Sequence, residues 1–206
     1  MKVSLLILAY NEESYIEEVV NKYKNYFESL IIVNDFSTDK TGSILDDLTI
    51  KNDNIVLINN KKNVGPGKSM FNGVEYFLKS EGDYLIKIDG DDQFLEKDVV
   101  FLLDKIKKEH FDFIKCDRFW IDGIVGKIPN IRYFGNAFAS FLIKFTTGNW
   151  LINDPLNGLF VFSKYSLEII QLPKLFYRYG YPFFIITEIA KNSIVNEIKI
   201  GQYKNR

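Results

Sequence analysis

The stretch IKIDGDDQF, residues 86–94, sets Asp89, Asp91 and Asp92 within four positions directly behind an apolar run. Repulsion among neighbouring carboxylates costs stability and raises their pKa values, so such crowding persists where a cation or a proton relieves it. An Asp-x-Asp pair leaving a strand through a tight turn aims two carboxylates at one point, and Gly90 lets the backbone come close. Magnesium or manganese takes a few carboxylate oxygens and completes its shell with water and the oxygens of a diphosphate. The loop therefore reads as half of a divalent-metal site that a phosphate ligand would finish, with a plain acidic turn as the simpler alternative.

Other chemistries fit less well. NVGPGKSM (63–70) lacks the Walker glycine, whose place holds Lys62, and the third glycine of a dinucleotide fingerprint is Met70. What survives is a two-glycine turn before a helix with Lys68 near its start, which is either a phosphate contact or an exposed lysine. A calcium loop would need glycine and glutamate where Phe94 and Val100 stand. With one cysteine (Cys116) and one histidine (His110), neither a zinc cage nor a Ser-His pair can be assembled in a strand-end loop. Asp89, Asp91, Asp154 and Glu188 could serve a glycoside hydrolase, but that chemistry has no need of two carboxylates two apart in one loop.

The elements that must position these groups alternate along the chain. Apolar runs at 3–9, 30–34, 54–59, 83–89 and 111–116 read as strands, and amphipathic segments at 13–27, 40–51, 67–80 and 96–109 as helices. After Cys116 the alternation stops in an irregular stretch. A helix near 131–147, a strand at 158–163, a helix across 179–192 and a strand at 194–200 follow. This is the pattern of an α/β fold with a mostly parallel central sheet flanked by helices, here as one domain. In such a sheet, ligands bind beyond the carboxyl ends of the strands, where Tyr10-Asn11-Glu12, Asn34-Asp35 and Asp89 to Gln93 fall.

The 206 residues are 47% hydrophobic and 26% charged, the balance of a globular chain. A net charge of −1 offers no footprint for nucleic acid. One cysteine fits a reducing compartment, the N-terminus is no signal peptide, and no window spans a membrane, so the expected location is cytoplasmic. Phe134, Phe138, Phe141 and Phe145 lie at helical spacing, a stripe we read as core packing, with contact to lipid as the alternative.

LILAYNEE, IIVNDFSTDKT, NVGPGKSM and DYLIKIDGDDQF, followed by FIKCDRF, NDPLNGLFVFS and VNEIKIGQYKNR, resemble in order and spacing the successive motifs of family-2 glycosyltransferases of the GT-A fold. The likeness is strongest to the branch of dolichyl- and polyprenyl-phosphate sugar synthases. It implies that Tyr10, Asn11 and Glu12 line a nucleotide pocket and that Asp35 contacts base or ribose. By the same resemblance Asp89 and Asp91 hold Mg²⁺ or Mn²⁺, with Gln93 nearby, and Arg118 faces donor phosphates or acceptor. Lys68, Gly90, Arg132 and the terminal Arg206 complete the binding set, Arg132 toward an acidic acceptor. Departures include Asn34 for the first of two aspartates, Phe36 for a small residue, and Asn157-Gly158-Leu159-Phe160, which lacks the family's arginine.

The reaction implied is inverting transfer of a sugar from a nucleoside diphosphate sugar to a polyprenyl phosphate or glycan. A hydroxyl acceptor would need a base, for which Asp154 is the first candidate and Glu188 the second, whereas a lipid phosphate arrives ionised. A lipid acceptor would be met peripherally at the membrane. A catalytically silent nucleotide-sugar binding protein and a nucleotidyltransferase share parts of this pattern, although the latter would place a basic, glycine-rich loop where the acidic YNEES stands.

Overall fold

The computed structural model describes residues 1–117, 130–150, 152–170, 180–192 and 195–200. In chain order these form β1 (Val3–Ala9), α1 (Ile16–Tyr23), β2 (Ser29–Asn34), α2 (Thr41–Lys51), β3 (Ile55–Asn59), α3 (Pro66–Lys79) and β4 (Tyr84–Asp89). Then come α4 (Glu96–Lys108), β5 (Phe113–Asp117), α5 (Asn130–Thr147), β6 (Phe160–Ser163), α6 (Lys164–Ile169), α7 (Tyr181–Asn192) and β7 (Val195–Lys199).

One seven-stranded sheet runs in the order β3-β2-β1-β4-β6-β5-β7. All neighbours pair parallel except β6, which is antiparallel to both β4 and β5. Every residue of β1 is buried, because helices cover both faces of the sheet and leave a parallel strand no solvent side. Ile16, Val19, Val20 and Tyr23 of α1, and Val99, Leu102, Leu103 and Ile106 of α4, pack on one face with Ile7, Ile86 and Ile114. Met70, Val74 and Phe77 of α3, with Ile185, Ile186 and Ile189 of α7, fill the other beside Phe113, Phe160 and Phe162.

The first helix is shorter than its apolar periodicity suggests. Residues 10–15 form a turn in which Tyr15 and Ile16 N–H both donate to the Glu12 carbonyl, so the helix begins only at Ile16. The short α6 escaped the sequence pattern; it is capped by Ser163, whose hydroxyl accepts the Ser166 N–H at 3.1 Å.

The phenylalanine stripe of α5 is not core. Phe134, Phe138, Phe141 and Phe145 are 70%, 63%, 54% and 73% exposed. The helix instead turns Asn136, Ser140 and Ile143 inward. Helical spacing marks a face, and only the neighbours decide whether that face is covered.

Candidate active site

Because β6 runs opposite to the rest, its N-terminal end lies at the same sheet edge as the C-terminal ends of the other strands. That edge collects the turns after β1, β2, β3 and β4 together with residues 152–159. The chain reverses its progress across the sheet between β1 and β4, which opens a crevice at this edge.

One wall is made by the turns after β1 and β2, which interlock. Asn11 N–H donates to Ser37 Oγ at 3.0 Å, and Asn11 Oδ1 accepts the Thr38 N–H at 2.8 Å. Glu12 N–H donates to Thr41 Oγ1 at 2.7 Å, and Tyr10 stands exposed beside them. Asp35 is buried. Its carboxylate accepts from Asn60 Nδ2 (2.8 Å), Val64 N–H (2.9 Å) and Gly65 N–H (2.8 Å). These bonds tie the carboxylate expected to meet base or ribose to the turn entering α3, on whose first turn Lys68 sits.

Asn11, Phe36 and Asp92, each two or three residues beyond a strand, hold φ of 57°, 61° and 53°. Left-handed backbone costs a non-glycine residue roughly 1–2 kcal/mol. Three such residues fall in three adjoining turns at this edge.

The turn after β4 answers what relieves its crowding. Lys87 Nζ donates to Asp89 Oδ1 at 2.6 Å, and Lys22 of α1 pairs with Asp92. Asp91 Oδ1 accepts the Gln93 N–H at 3.3 Å. Gly90 N–H donates to the Leu8 carbonyl at 2.8 Å, and a side chain there would meet that oxygen at 3.0 Å. Lys87 has no exposed surface, and its Nζ lies 5.5 Å from the Tyr181 ring centroid. Burial acts to lower the Lys87 pKa, but the Asp89 charge and Tyr181 outweigh it and the net shift is upward.

Among the described residues no three His, Cys, Asp or Glu side chains converge into a metal cage. Asp89, Asp91 and Gln93 are all part-exposed on this turn. Two carboxylates and an amide suit Mg²⁺ or Mn²⁺ when substrate oxygens supply the rest of the shell.

The opposite wall is the 153–158 turn. Glu197 of β7 accepts from Asn153 N–H (2.8 Å), Asn153 Nδ2 (2.7 Å) and Asp154 N–H (3.3 Å), and pairs with the buried Lys115 at 3.2 Å. Asn157 Nδ2 donates to the Cys116 carbonyl at 2.8 Å. Helix α5 braces the turn from outside: Ser140 Oγ donates to the Ile152 carbonyl (2.7 Å) and Lys144 Nζ to Asn153 Oδ1 (2.8 Å). Asp154 itself has no exposed surface, which ill suits the general base expected of it. Glu188 accepts from Lys191 on its own helix at 2.6 Å, seven residues or about 10 Å along α7 from Tyr181. Arg118 and Arg206 lie outside the described residues, and Arg132 falls on α5.

Lys87, Lys22, Lys115, Glu197 and Tyr181 went unnoticed in the sequence. A signal for two of them was there: Lys87-Ile88-Asp89 and Lys115-Cys116-Asp117 each put a lysine inside an apolar strand, two residues from an aspartate and so on the same face.

The family description "Glycosyl transferase family 2" matches residues 4–170. A UDP-N-acetylglucosamine–dolichyl-phosphate N-acetylglucosaminyltransferase of Methanococcus voltae is 27% identical over 82% of this chain and 72% of its own length. A dolichol-phosphate mannosyltransferase of Pyrococcus furiosus is 27% identical over 84% of this chain and 49% of its own. In fold, the chain is similar to glucosyl-3-phosphoglycerate synthase of Mycobacterium tuberculosis, solved with Mn²⁺, uridine diphosphate and glucosyl-3-phosphoglycerate. The TM-score is 0.72 at 16% identity, covering 100% of this chain and 72% of that one.

Proposed function

Because the chain belongs to glycosyl transferase family 2, we propose that its sheet-edge crevice transfers a sugar from a nucleoside diphosphate sugar to a polyprenyl phosphate, with inversion at the sugar carbon. The observation that carries this reading is the 89–93 turn at the β1/β4 crevice, facing the interlocked turns after β1 and β2 on one side and the 153–158 turn on the other. On this reading the whole chain is one catalytic domain.

Asp91, Gln93 and the part-exposed Asp89 would hold Mg²⁺ or Mn²⁺, which when bound neutralises the charge gathering on the leaving diphosphate. Tyr10, Asn11 and Glu12 would wall the nucleotide, and Lys68, Arg118, Arg132 and Arg206 are the proposed cations for phosphates and acceptor. The acceptor attacks the face of the sugar opposite the leaving group, which inverts the centre. A sugar hydroxyl would need a base in reach, and both candidates are engaged elsewhere, Asp154 by burial and Glu188 by Lys191. An acceptor that arrives already ionised removes that need, which favours a lipid phosphate over a glycan.

No helix among the described residues is long and apolar enough to cross a membrane. The proposed meeting point with the lipid is the exposed phenylalanine face of α5. The inner face of that helix holds the 153–158 turn through Ser140 and Lys144, so a helix lying in the lipid interface would carry the acceptor wall with it. The relatives named for dolichyl-phosphate acceptors support a lipid partner.

The test is incubation with a panel of nucleotide sugars and both acceptor types, reading released diphosphate with and without Mn²⁺. Donor- and metal-dependent release with a polyprenyl phosphate, lost in Asp91→Ala, is the expected result. Nucleotide binding with no transfer to any acceptor, or transfer that ignores the metal, would overturn it.

A further inference from the structure

Residues 153–158 form neither helix nor strand, so groups outside the turn decide its shape. Two of them act on one side chain. Asn153 Nδ2 donates to Glu197 Oε2 at 2.7 Å, and Asn153 Oδ1 accepts from Lys144 Nζ at 2.8 Å. The other Glu197 oxygen, Oε1, accepts from Asn153 N–H (2.8 Å), Asp154 N–H (3.3 Å) and Lys115 Nζ (3.2 Å). The Glu197 side chain is 11% exposed and that of Lys115 is wholly buried.

A carboxamide has one end that donates and one that accepts. Here a carboxylate stands at the donating end and an ammonium group at the accepting end, so one orientation of the Asn153 side chain satisfies both. Asn153→Asp would set carboxylate against carboxylate. Glu197→Gln would fail too. With Oε1 kept on its three donors, the new amide nitrogen meets Asn153 Nδ2, and a flip of Asn153 turns Nδ2 onto Lys144. Making both changes at once reverses the direction of the hydrogen bond and keeps its shape. The new nitrogen at 197 then donates to the new carboxylate at 153, whose second oxygen still accepts from Lys144.

We infer that Glu197 and Asn153 are positioning residues for the acceptor. The fixed polarity of their hydrogen bond, anchored by Lys115 at one end and Lys144 at the other, holds the 153–158 turn where an acceptor phosphate can reach the sugar. The inference rests on the transferase reading proposed above, in which this turn is the acceptor wall. The pair lies across the crevice from the turns after β1 and β2, so its loss is expected to spare the nucleotide.

The experiment measures transfer to a polyprenyl phosphate in wild type, Glu197→Gln, Asn153→Asp and the double variant. Beside it, binding of the donor's own nucleoside diphosphate is measured with Mn²⁺ present. Each single change should lower kcat/KM for the acceptor by about 10- to 100-fold, the scale of a displaced reacting group, and leave nucleotide binding at its wild-type value. The double variant should return kcat/KM to within about fivefold of wild type, the worth of about one hydrogen bond. A merely structural pair would instead weaken acceptor and nucleotide together, in step with the urea midpoint. If either single variant does not fold, Lys144→Met decides, because this part-exposed lysine of α5 fixes the same amide from outside. Its loss should lower kcat/KM by about fivefold at unchanged nucleotide binding. Unchanged acceptor kcat/KM in the folded variants, a double variant no better than the worse single, or a parallel loss of nucleotide binding overturns the inference and leaves the transferase standing. Wild type that transfers to no acceptor overturns the transferase reading and this one with it.

Discussion

Glu197 receives Asn153 twice, from its backbone N–H at 2.8 Å and from its side-chain amide at 2.7 Å, across 44 residues of sequence. The same carboxylate pairs with the buried Lys115. One residue of the edge strand β7 thus sets the turn that faces the 89–93 loop. Removing one partner of a buried ion pair costs about 3–5 kcal/mol, whereas replacing both with apolar groups is often neutral. Glu197→Leu should lower stability by that amount, and Lys115→Met with Glu197→Leu should recover much of it. Urea unfolding of the three chains checks this. Activity should stay low in both variants, because the double change restores packing and not the hydrogen bonds to Asn153.

Gly158 has a separate role in the same turn. A Cβ there would sit 2.6 Å from Asp89 Oδ2 and 3.2 Å from Lys87 Nζ. Gly158→Ala must displace the Asp89 carboxylate, at an overpacking cost of about 1–3 kcal/mol. Mn²⁺-dependent binding of uridine diphosphate should weaken about tenfold or more, as when groups that orient a metal ligand are lost. Fluorescence titration reads it.

Loss of a general base costs a rate of about 10²–10⁴-fold. With a polyprenyl-phosphate acceptor, Asp154→Asn and Glu188→Gln should each keep kcat within about tenfold of wild type, since an ionised acceptor gives up no proton. A larger fall confined to kcat, with KM unchanged, would restore that residue as a base.

On the outer face of α5, Phe138→Ser with Phe145→Ser should move stability by less than about 0.5 kcal/mol per site, because these side chains are exposed. Co-sedimentation with phospholipid vesicles should drop, while binding of uridine diphosphate stays at its wild-type value.

Stability should fall on the alkaline side. Burial pushes Tyr23 up from 10.0, aided by Asp92, and burial pushes Cys116 up from 9.0. Lys87 is shifted up from 10.5 by Asp89 and Tyr181 against its burial. In each case the folded chain keeps its proton to higher pH than the unfolded chain. Below pH 9.0 all three contributions are therefore constant, and above it the unfolded state binds fewer protons and stability declines. Urea midpoints at about pH 8 and about pH 10 check the sign, and Cys116 should stay unreactive to thiol reagents until the chain unfolds.

Most of the elements were legible without coordinates. The runs at 3–9 and 83–89 read as strands because a sheet covered on both faces demands apolar residues at every position, and apolar periodicity placed α1 and α4. The 89–93 turn was legible too, since crowded charge is a local feature of the chain. Its partners were not. Lys87 and Lys115 stand out as lysines in apolar strands, but only the packing of Gly158 and Tyr181 around Lys87 and of Glu197 on Lys115 shows how both are held inside, and Lys22 arrives from a helix 70 residues away.

What the sequence by itself determined is the set of elements, the covered sheet and the crowded acidic turn, because these follow from local pattern and local charge. What tertiary structure alone decided is the direction of β6, the exposure of the α5 phenylalanines and the lysines behind the carboxylates. A four-residue apolar strand pairs equally well either way round, and its N-terminal turn meets the edge where the other strands end only because β6 inserts antiparallel between β4 and β5.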